Sequence, residues 1–345
     1  MQKSPMKRIA APFLTIAMLV CMPLTASAQE VTVNAVGDIM LAGRWAAGIK
    51  KRGFDYTFRA TADELAKGDI NLANLESPIA SGGTEFKDKR FRFRADPEVA
   101  QALAKAGFHL VTLANNHSMD FGGQALAETI KNLTASGIAW IGAGGNLSEA
   151  RKMTLYTVRG VKVAFLGFSL TQPVEFFAAR NRPGTTPGLE NIYTTDIARA
   201  RAAADYVIVT FHWGKEGSTT VQPYQRNAAH KAIEAGADAV IGHHPHVLQG
   251  VERYRNGIIF YSLGNFAFAS IGKDAASSAI VRLRLDRTGR EAEIVPLDVL
   301  NSRVRFQPKP LSGKRAKAVI DQLDRLSQPF GSSIVERNGR FIVDF

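Results

Sequence analysis

Apolar residues fall along this chain in short β-branched runs, separated by stretches in which apolar positions recur every three or four residues. The first pattern marks half-buried or buried strands and the second marks amphipathic helices. VTVNAV at 31–36, INLANL at 70–75, HLVTL at 109–113 and IAWIG at 138–142 are predicted strands. So are YVIVTF at 206–211, DAVIG at 238–242 and GIIFYSLG at 257–264. Between them the spacing predicts helices over 58–66, 97–106, 124–136, 195–204 and 223–235. The helix after Asp96-Pro97 starts with an N-cap residue followed by proline at its first position. YTVRGVKVAFLGF reads as a hairpin turning at Arg159-Gly160, and SAIVRLRLD-RTGR-EAEIVPLDV as a second one. Strands alternating with helices predict an α/β core, with the hairpins adding antiparallel strands at its edge. The stretch 171–193 carries Pro173, Pro183 and Pro187 and is long for a connection, as functional lids are. A helix over 314–326 and a hairpin at Asn338-Gly339 form a small C-terminal α+β extension. The expected division is 1–28, 29–300 and 301–345.

The N-terminus changes the picture of where the protein works. Lys3, Lys7 and Arg8 precede an apolar stretch over 9–24, and Ala26-Ser27-Ala28 follows. This is the pattern of a cleaved signal peptide, residues 1–28, leaving Gln29 first in a periplasmic or secreted protein. The apolar stretch is short and broken by Pro12 and Pro23, so no permanent span is expected. Cys21 is the single cysteine and follows Val20 rather than a small residue, which argues against a lipid anchor. With the leader removed no thiol remains, so disulfides and thiolate chemistry are both excluded. The formal net charge is +12, of which three charges leave with the leader. For an exported protein such a surface suits an anionic envelope polymer or acidic substrate rather than nucleic acid.

Ligands of open α/β sheets bind at the carboxyl ends of the strands. Here those ends carry Asp38, Glu76, Asn116-His117, His212, the stretch VIGHHPHVLQ with His243, His244 and His246, and Asn265. Any one of these has a plain structural use as a cap, a turn or a core hydrogen bond. A strand-end carboxylate, amide and imidazole set in one chain points instead to a metal site. Other chemistries lack their residues. GAGGNL at 142–147 has neither the third glycine of a dinucleotide loop nor the lysine of a P-loop, and no G-x-S-x-G is present.

The stretches AVGDIMLAGR, NLANLESPI, LANNHSMDFG, VTFHWGKE, GHHPHVLQG and YSLGNF, spanning about residues 33 to 268, resemble the bacterial capsule synthesis protein CapA family. That family is associated with poly-γ-glutamate capsules and belongs to the calcineurin-like metallophosphatase superfamily. The resemblance implies a sandwich of two central sheets flanked by helices, with a metal centre at the strand ends. It places Asp38, Glu76, Asn116, His212, His244 and His246 as metal ligands and His117 as the residue assisting the leaving group. His243 is left without a role. Met40 stands where the wider superfamily has the histidine of D-x-H, and Glu76 replaces a shorter aspartate.

Oxygen and imidazole donors without sulfur suit one or two divalent ions, Mn²⁺, Fe²⁺ or Zn²⁺. Arg44, Arg92 and Arg94 are candidate partners for a substrate anion, since a guanidinium binds carboxylate or phosphate through two parallel bonds, and Asn265 joins them as a substrate-binding candidate. Three functions stay open. One is metal-dependent hydrolysis or transfer on an anionic polymer such as poly-γ-glutamate. A second is polymer binding without catalysis, beside membrane proteins that synthesise or export the capsule. The third is a conventional metallophosphoesterase.

Overall fold

The alternation of inward and outward side chains along each strand decides how the layers stack. In the computed structural model, which describes residues 1–2, 30–286 and 289–345, two large sheets face each other. The leader expected over 1–28 lies, apart from its first two residues, outside the described residues. In the first sheet Val31–Ile39, Ile70–Leu75, Leu110–Thr112 and Ala139–Ile141 run parallel, in that order. On the other side of Val31–Ile39 come Ser277–Leu285, Arg290–Asp298 and Arg340–Asp344, each antiparallel to its neighbour. The second sheet places Gly257–Phe260, Ala239–His243, Tyr206–His212 and Val161–Ser169 parallel to one another. Thr154–Val158 and Val251–Tyr254 close its edges antiparallel.

Val33, Ala35, Leu72 and Leu110 of the first sheet share one buried cluster with Val163, Phe165, Ile208, Ala239 and Ile241 of the second. The intervening positions, such as Val36, Ala73 and Val111, pack outward under the helix Glu98–Lys105, whose Val99, Ala102 and Leu103 join that cluster. Val207, Val209 and Val240 likewise pack under the helices Glu190–Ala203 and Pro223–Glu234. Both faces of each parallel strand are therefore dry, which is why these strands read as continuous apolar runs. The result is the two-sheet sandwich flanked by helices that the sequence led us to expect.

Arg159 and Gly160 have φ of 48° and 83°, and Asn338 and Gly339 have 53° and 73°. These are the left-handed pairs that two-residue hairpin loops need. The predicted helix over 58–66 is instead a 3₁₀ segment, Phe54–Thr61, followed by one short α-turn, Ala62–Leu65. Thr61 Oγ1 donates to the Phe58 carbonyl at 3.0 Å, a three-residue return that fits the tighter winding. The 171–193 stretch is pinned rather than loose. Phe176 is buried against Phe86, with ring centroids 5.0 Å apart, and Gly184–Thr185 pairs with Ala143–Gly144. The C-terminal extension also joins the main body. Val319, Ile320 and Leu323 of the helix Gly313–Ser327 enter the core between the sheets, and Arg340–Asp344 extends the first sheet. Among the described residues no helix is long and apolar enough to cross a membrane.

Candidate metal centre

Parallel strands in both sheets deliver their carboxyl ends to one place. Asp38 ends Val31–Ile39, Glu76 follows Ile70–Leu75, and His212 and His243 end neighbouring strands that pair at that position. Two glycines let the backbones close in. A Cβ on Gly37 would stand 2.0 Å from the Gly264 carbonyl oxygen, and one on Gly242 would stand 2.0 Å from that of Tyr261. Asn115 shapes the loop that carries Asn116 and His117. Its Oδ1 accepts from the amides of His117 and Ser118 at 3.0 and 2.9 Å, and its Nδ2 donates to Asn74 and to the Leu75 carbonyl. His244 and His246 have φ of 97° and 59°. Left-handed backbone at two non-glycine residues costs of order 1–3 kcal/mol each and is characteristically held at functional sites.

All six expected ligands come together. Asp38 Oδ2 is 3.1 Å from His246 Nδ1, and Glu76 Oε1 is 3.4 Å from His212 Nε2 and 3.7 Å from His246 Nε2. Asn116 Oδ1 is 2.9 Å from His212 Nε2. Ligand atoms of Glu76, His244 and His246 all lie within 4.8 Å of one another. Asn265 bonds His246 Nδ1 through Oδ1 at 2.9 Å and donates through Nδ2 to Ser270 at 2.9 Å. His117 Nδ1 is 2.6 Å from Asp120 Oδ2. Met40 is buried, and its side chain belongs to the apolar cluster on the helix side of the first sheet.

Charge follows from this burial. Desolvation would raise the Asp38 carboxyl, but hydrogen bonds from His243 and His246 outweigh it and hold it well below the usual range. Glu76 goes the other way: burial drives it well above the usual carboxylate range, with the Asp38 charge adding to the effect. Burial alone would lower His246, yet Glu76 and Asp38 raise it to about 9, while burial and the charge of His246 press His244 down to about 3. Burial also lowers His212 and His117, the latter against the pull of Asp120.

Glu76 Oε1, His244 Nδ1 and His243 Nε2 are buried without a hydrogen-bond partner. Unpartnered buried polar atoms are rare because each forfeits its hydration for nothing. Here they are one carboxylate oxygen and two imidazole nitrogens, the donor types that a Mn²⁺, Fe²⁺ or Zn²⁺ ion takes up, so the residues fit such an ion.

Two of the three arginines are bonded elsewhere, and the third lies on a neighbouring ring. Arg44 lies over the Trp45 ring at 5.0 Å, and Arg92 donates to Glu85 at 2.7 Å and to the Lys89 carbonyl. Arg94 donates to the Gly82 carbonyl at 3.1 Å and lies 4.4 Å over Phe121. The basic residue that does reach the site is Lys89. Its Nζ lies 2.9 Å from His117 Nδ1, bonds Asp120 Oδ1 at 2.7 Å and donates to the Asn116 carbonyl. Asn74 is also unforeseen: its Nδ2 donates to Asp38 Oδ1 at 2.9 Å and to Glu76 Oε2 at 3.3 Å. An asparagine inside an apolar run was the available signal for Asn74, whereas Lys89 is one of several basic residues in KDKRFRFR. His243, left without a role by the sequence, places Nδ1 3.0 Å from Asp38 Oδ1.

The family model of the bacterial capsule synthesis protein PGA_cap matches residues 32–270. The chain belongs to that family. Among PGA_cap relatives it is 33% identical to the capsule biosynthesis protein CapA of Bacillus anthracis over 82% of this chain and 70% of that one. It is 34% identical to the PGA biosynthesis protein CapA of Bacillus subtilis over 80% of this chain and 73% of the relative. In fold it is similar to the NAD nucleotidase NadN of Haemophilus influenzae, with a TM-score of 0.51 and 14% identity over 87% of this chain and 63% of that one. This PGA_cap chain thus shares the fold of that nucleotidase in its two-sheet sandwich, and its strand-end cluster sits within the matched region.

Proposed function

We propose that this protein serves the envelope in the synthesis of an anionic capsule polymer of the poly-γ-glutamate type, and that it cuts or transfers that polymer at one or two divalent ions held by the strand-end cluster. Membership of the PGA_cap family, and the two Bacillus relatives being capsule and PGA biosynthesis proteins, support the polymer. Glu76 carries the rest of the reading. It is a fully buried carboxylate whose Oε1 has no hydrogen-bond partner and which shares a 4.8 Å cluster with His244 and His246. Asp38, Glu76, Asn116, His212, His244 and His246 would hold such an ion, which would supply Lewis acidity and lower the pKa of water.

The chain's own groups supply orientation and proton transfer. Asp120 fixes the His117 ring through Nδ1, and among the described residues no group bonds its Nε2. That nitrogen is the one to exchange a proton with the leaving group. Asn265 and His243 hold His246 and Asp38 in place. Among the described residues Arg44 makes a ring contact but no hydrogen bond or ion pair, whereas Arg92 bonds Glu85 and Arg94 the Gly82 carbonyl, so of the three arginines Arg44 is the freest to meet a substrate anion. The test is metal analysis of the purified protein after reconstitution with Mn²⁺, Fe²⁺ or Zn²⁺, with turnover of poly-γ-glutamate measured in parallel. Retained metal with metal-dependent cleavage or transfer is expected; a protein that takes up none of the three ions sinks the reading.

Met40 favours a second reading, in which the same site binds polymer without turning it over. The position is an apolar side chain packed into the core, so one imidazole of the wider superfamily's set is missing. Polymer binding that depends on metal, with no product under any ion, would select this alternative.

A further inference from the structure

Four basic side chains line two adjoining cavities, and two of them grip one acid, in a part of the molecule that shares no residue with the metal centre. Arg151 follows the short helix Leu147–Ala150, and Arg199 lies on the helix Glu190–Ala203. A cavity of about 300 Å³ is lined by Leu147, Ser148, Arg151, Arg180 and Arg199. A second, of about 380 Å³, shares Ser148, Arg151 and Arg199 with it and adds Lys152 and Asp196. Asp196 is fully buried and organises the group. Arg151 grips it through Nε and Nη2 at 2.9 and 2.8 Å, and Arg199 donates to the same carboxylate. Arg180 is brought over the cavity by its own segment, where the Leu147 amide donates to the Ala179 carbonyl at 2.9 Å.

The charges do not cancel. Among the described residues Arg180 and Lys152 have no acidic partner, and Asp196 is the only acid lining either cavity. A guanidinium has five donors, and Asp196 takes two from Arg151 and one from Arg199. The rest remain for a ligand. Cations crowded into one concavity raise the local positive potential, and an incoming anion relieves their mutual repulsion. Guanidinium forks match carboxylate and phosphate oxygens in particular. The two joined cavities also provide room for more than one such group.

We propose that this bowl is a second anion site, separate from the metal centre, that takes oxyanion groups: successive carboxylates of an acidic polymer, or phosphate. The choice of polymer as the carboxylate source rests on the proposed function above, whereas the site itself rests on its own geometry.

The test compares the wild-type protein with Arg180→Ala, Arg199→Ala, the double variant and His246→Ala. Arg151 and Asp196 stay untouched, so the buried pair still supports the fold. The probes are a fluorescent poly-γ-glutamate oligomer, read by anisotropy, and inorganic phosphate, read by calorimetry. Each is titrated at low salt and at roughly 0.15 M salt, where exposed charges are screened beyond about 8 Å. The expected result is a loss of about tenfold or more in oligomer affinity in the double variant, from charge-assisted bonds removed. Melting temperature and metal content should stay at wild-type values, and His246→Ala should keep this part of the binding. Loss of phosphate binding alone would uphold the oxyanion site while assigning it to phosphate rather than polymer. Undiminished binding of both probes by the double variant, or binding of neither by the wild type, overturns the proposal. Failure of the metal-centre reading appears separately, as absent metal in the wild-type protein.

Discussion

His246 Nδ1 lies between Asp38 Oδ2 and Asn265 Oδ1, at 3.1 and 2.9 Å, so its ring is oriented from two sides before any ligand arrives. His117 is oriented by a different acid, Asp120, and stands one residue beyond the expected ligand Asn116. The two histidines should therefore respond differently to removal. His246→Ala is expected to lose bound metal and, with it, turnover, as read by metal analysis of the dialysed protein. His117→Ala should keep its metal while turnover falls by about 10²–10⁴-fold, the usual contribution of proton transfer by a positioned side chain. A His117→Ala protein with undiminished turnover would remove that role from His117. Lys89 offers a further check at this scale. Its Nζ ties Asp120, His117 and the Asn116 carbonyl together, so Lys89→Met should reduce turnover in the same assay while leaving metal content unchanged.

Elements meet at this site only because backbone approaches backbone without side chains between. A Cβ on Gly37 would fall 2.0 Å from the Gly264 carbonyl oxygen, while the Asp38 amide bonds that same carbonyl at 3.0 Å. Gly37→Ala must therefore push Val31–Ile39 away from the loop that carries Asn265. The expected cost is about 1–3 kcal/mol, as for other overpacked positions, measured by urea denaturation, together with weakened metal binding. The C-terminal helix makes the opposite kind of contribution. Leu323 is 2% exposed in the core between the sheets. Leu323→Ala should cost about 2–5 kcal/mol, as large-to-small core substitutions do. A change under about 0.5 kcal/mol, typical of surface sites, would show that the helix is not part of the folded core.

Over the whole molecule, ion pairs tie distant segments together and make stability depend on pH. Burial would raise the carboxyls of Glu64, Asp69 and Asp298, yet each ends below its usual value. Bonds from Lys67 and Arg282 prevail at Glu64, from Arg159 and the Thr32 amide at Asp69, and from Arg303, the Leu300 amide and Arg315 at Asp298. A carboxyl lowered in the folded state adds stability above its unfolded pKa, about 4, and that stability is lost as pH falls through the lowered folded value. Asp238, raised by burial, contributes with the opposite sign. Tm should therefore fall steeply as pH drops below about 4, and Asp298→Asn should shrink the drop. An unchanged acid limb in that variant would show that the Arg303 and Arg315 contacts carry no linkage.

Much of this was written locally. Period-two apolar runs required strands, and runs without polar interruption required strands covered on both faces, because a side chain's burial follows from its own hydrophobicity. The positions of Asp38, Glu76, Asn116, His212, His244 and His246 were legible for a related reason: each ends or closely follows such a run, and parallel strands bring their carboxyl ends to one rim. The choice of these six as ligands came from the family resemblance. The strand Val251–Tyr254 was not foreseen, although Asn256-Gly257 marks its turn into Gly257–Phe260. What tertiary structure decided were the pairings between like residues. Lys89 rather than Arg92 or Arg94 reaches His117, because the turn holding Lys89 packs on the 115–120 loop while Glu85 and the Gly82 carbonyl claim the two arginines. His243 meets Asp38 across 205 positions of sequence, and the C-terminal hairpin pairs with Arg290–Asp298 through Arg340–Asp344, with Val343 packed beside Ala292 and Ile294. Hydrophobic pattern specifies which atoms leave water; which polar partner each then meets depends on distances that exist only after the sheets have packed.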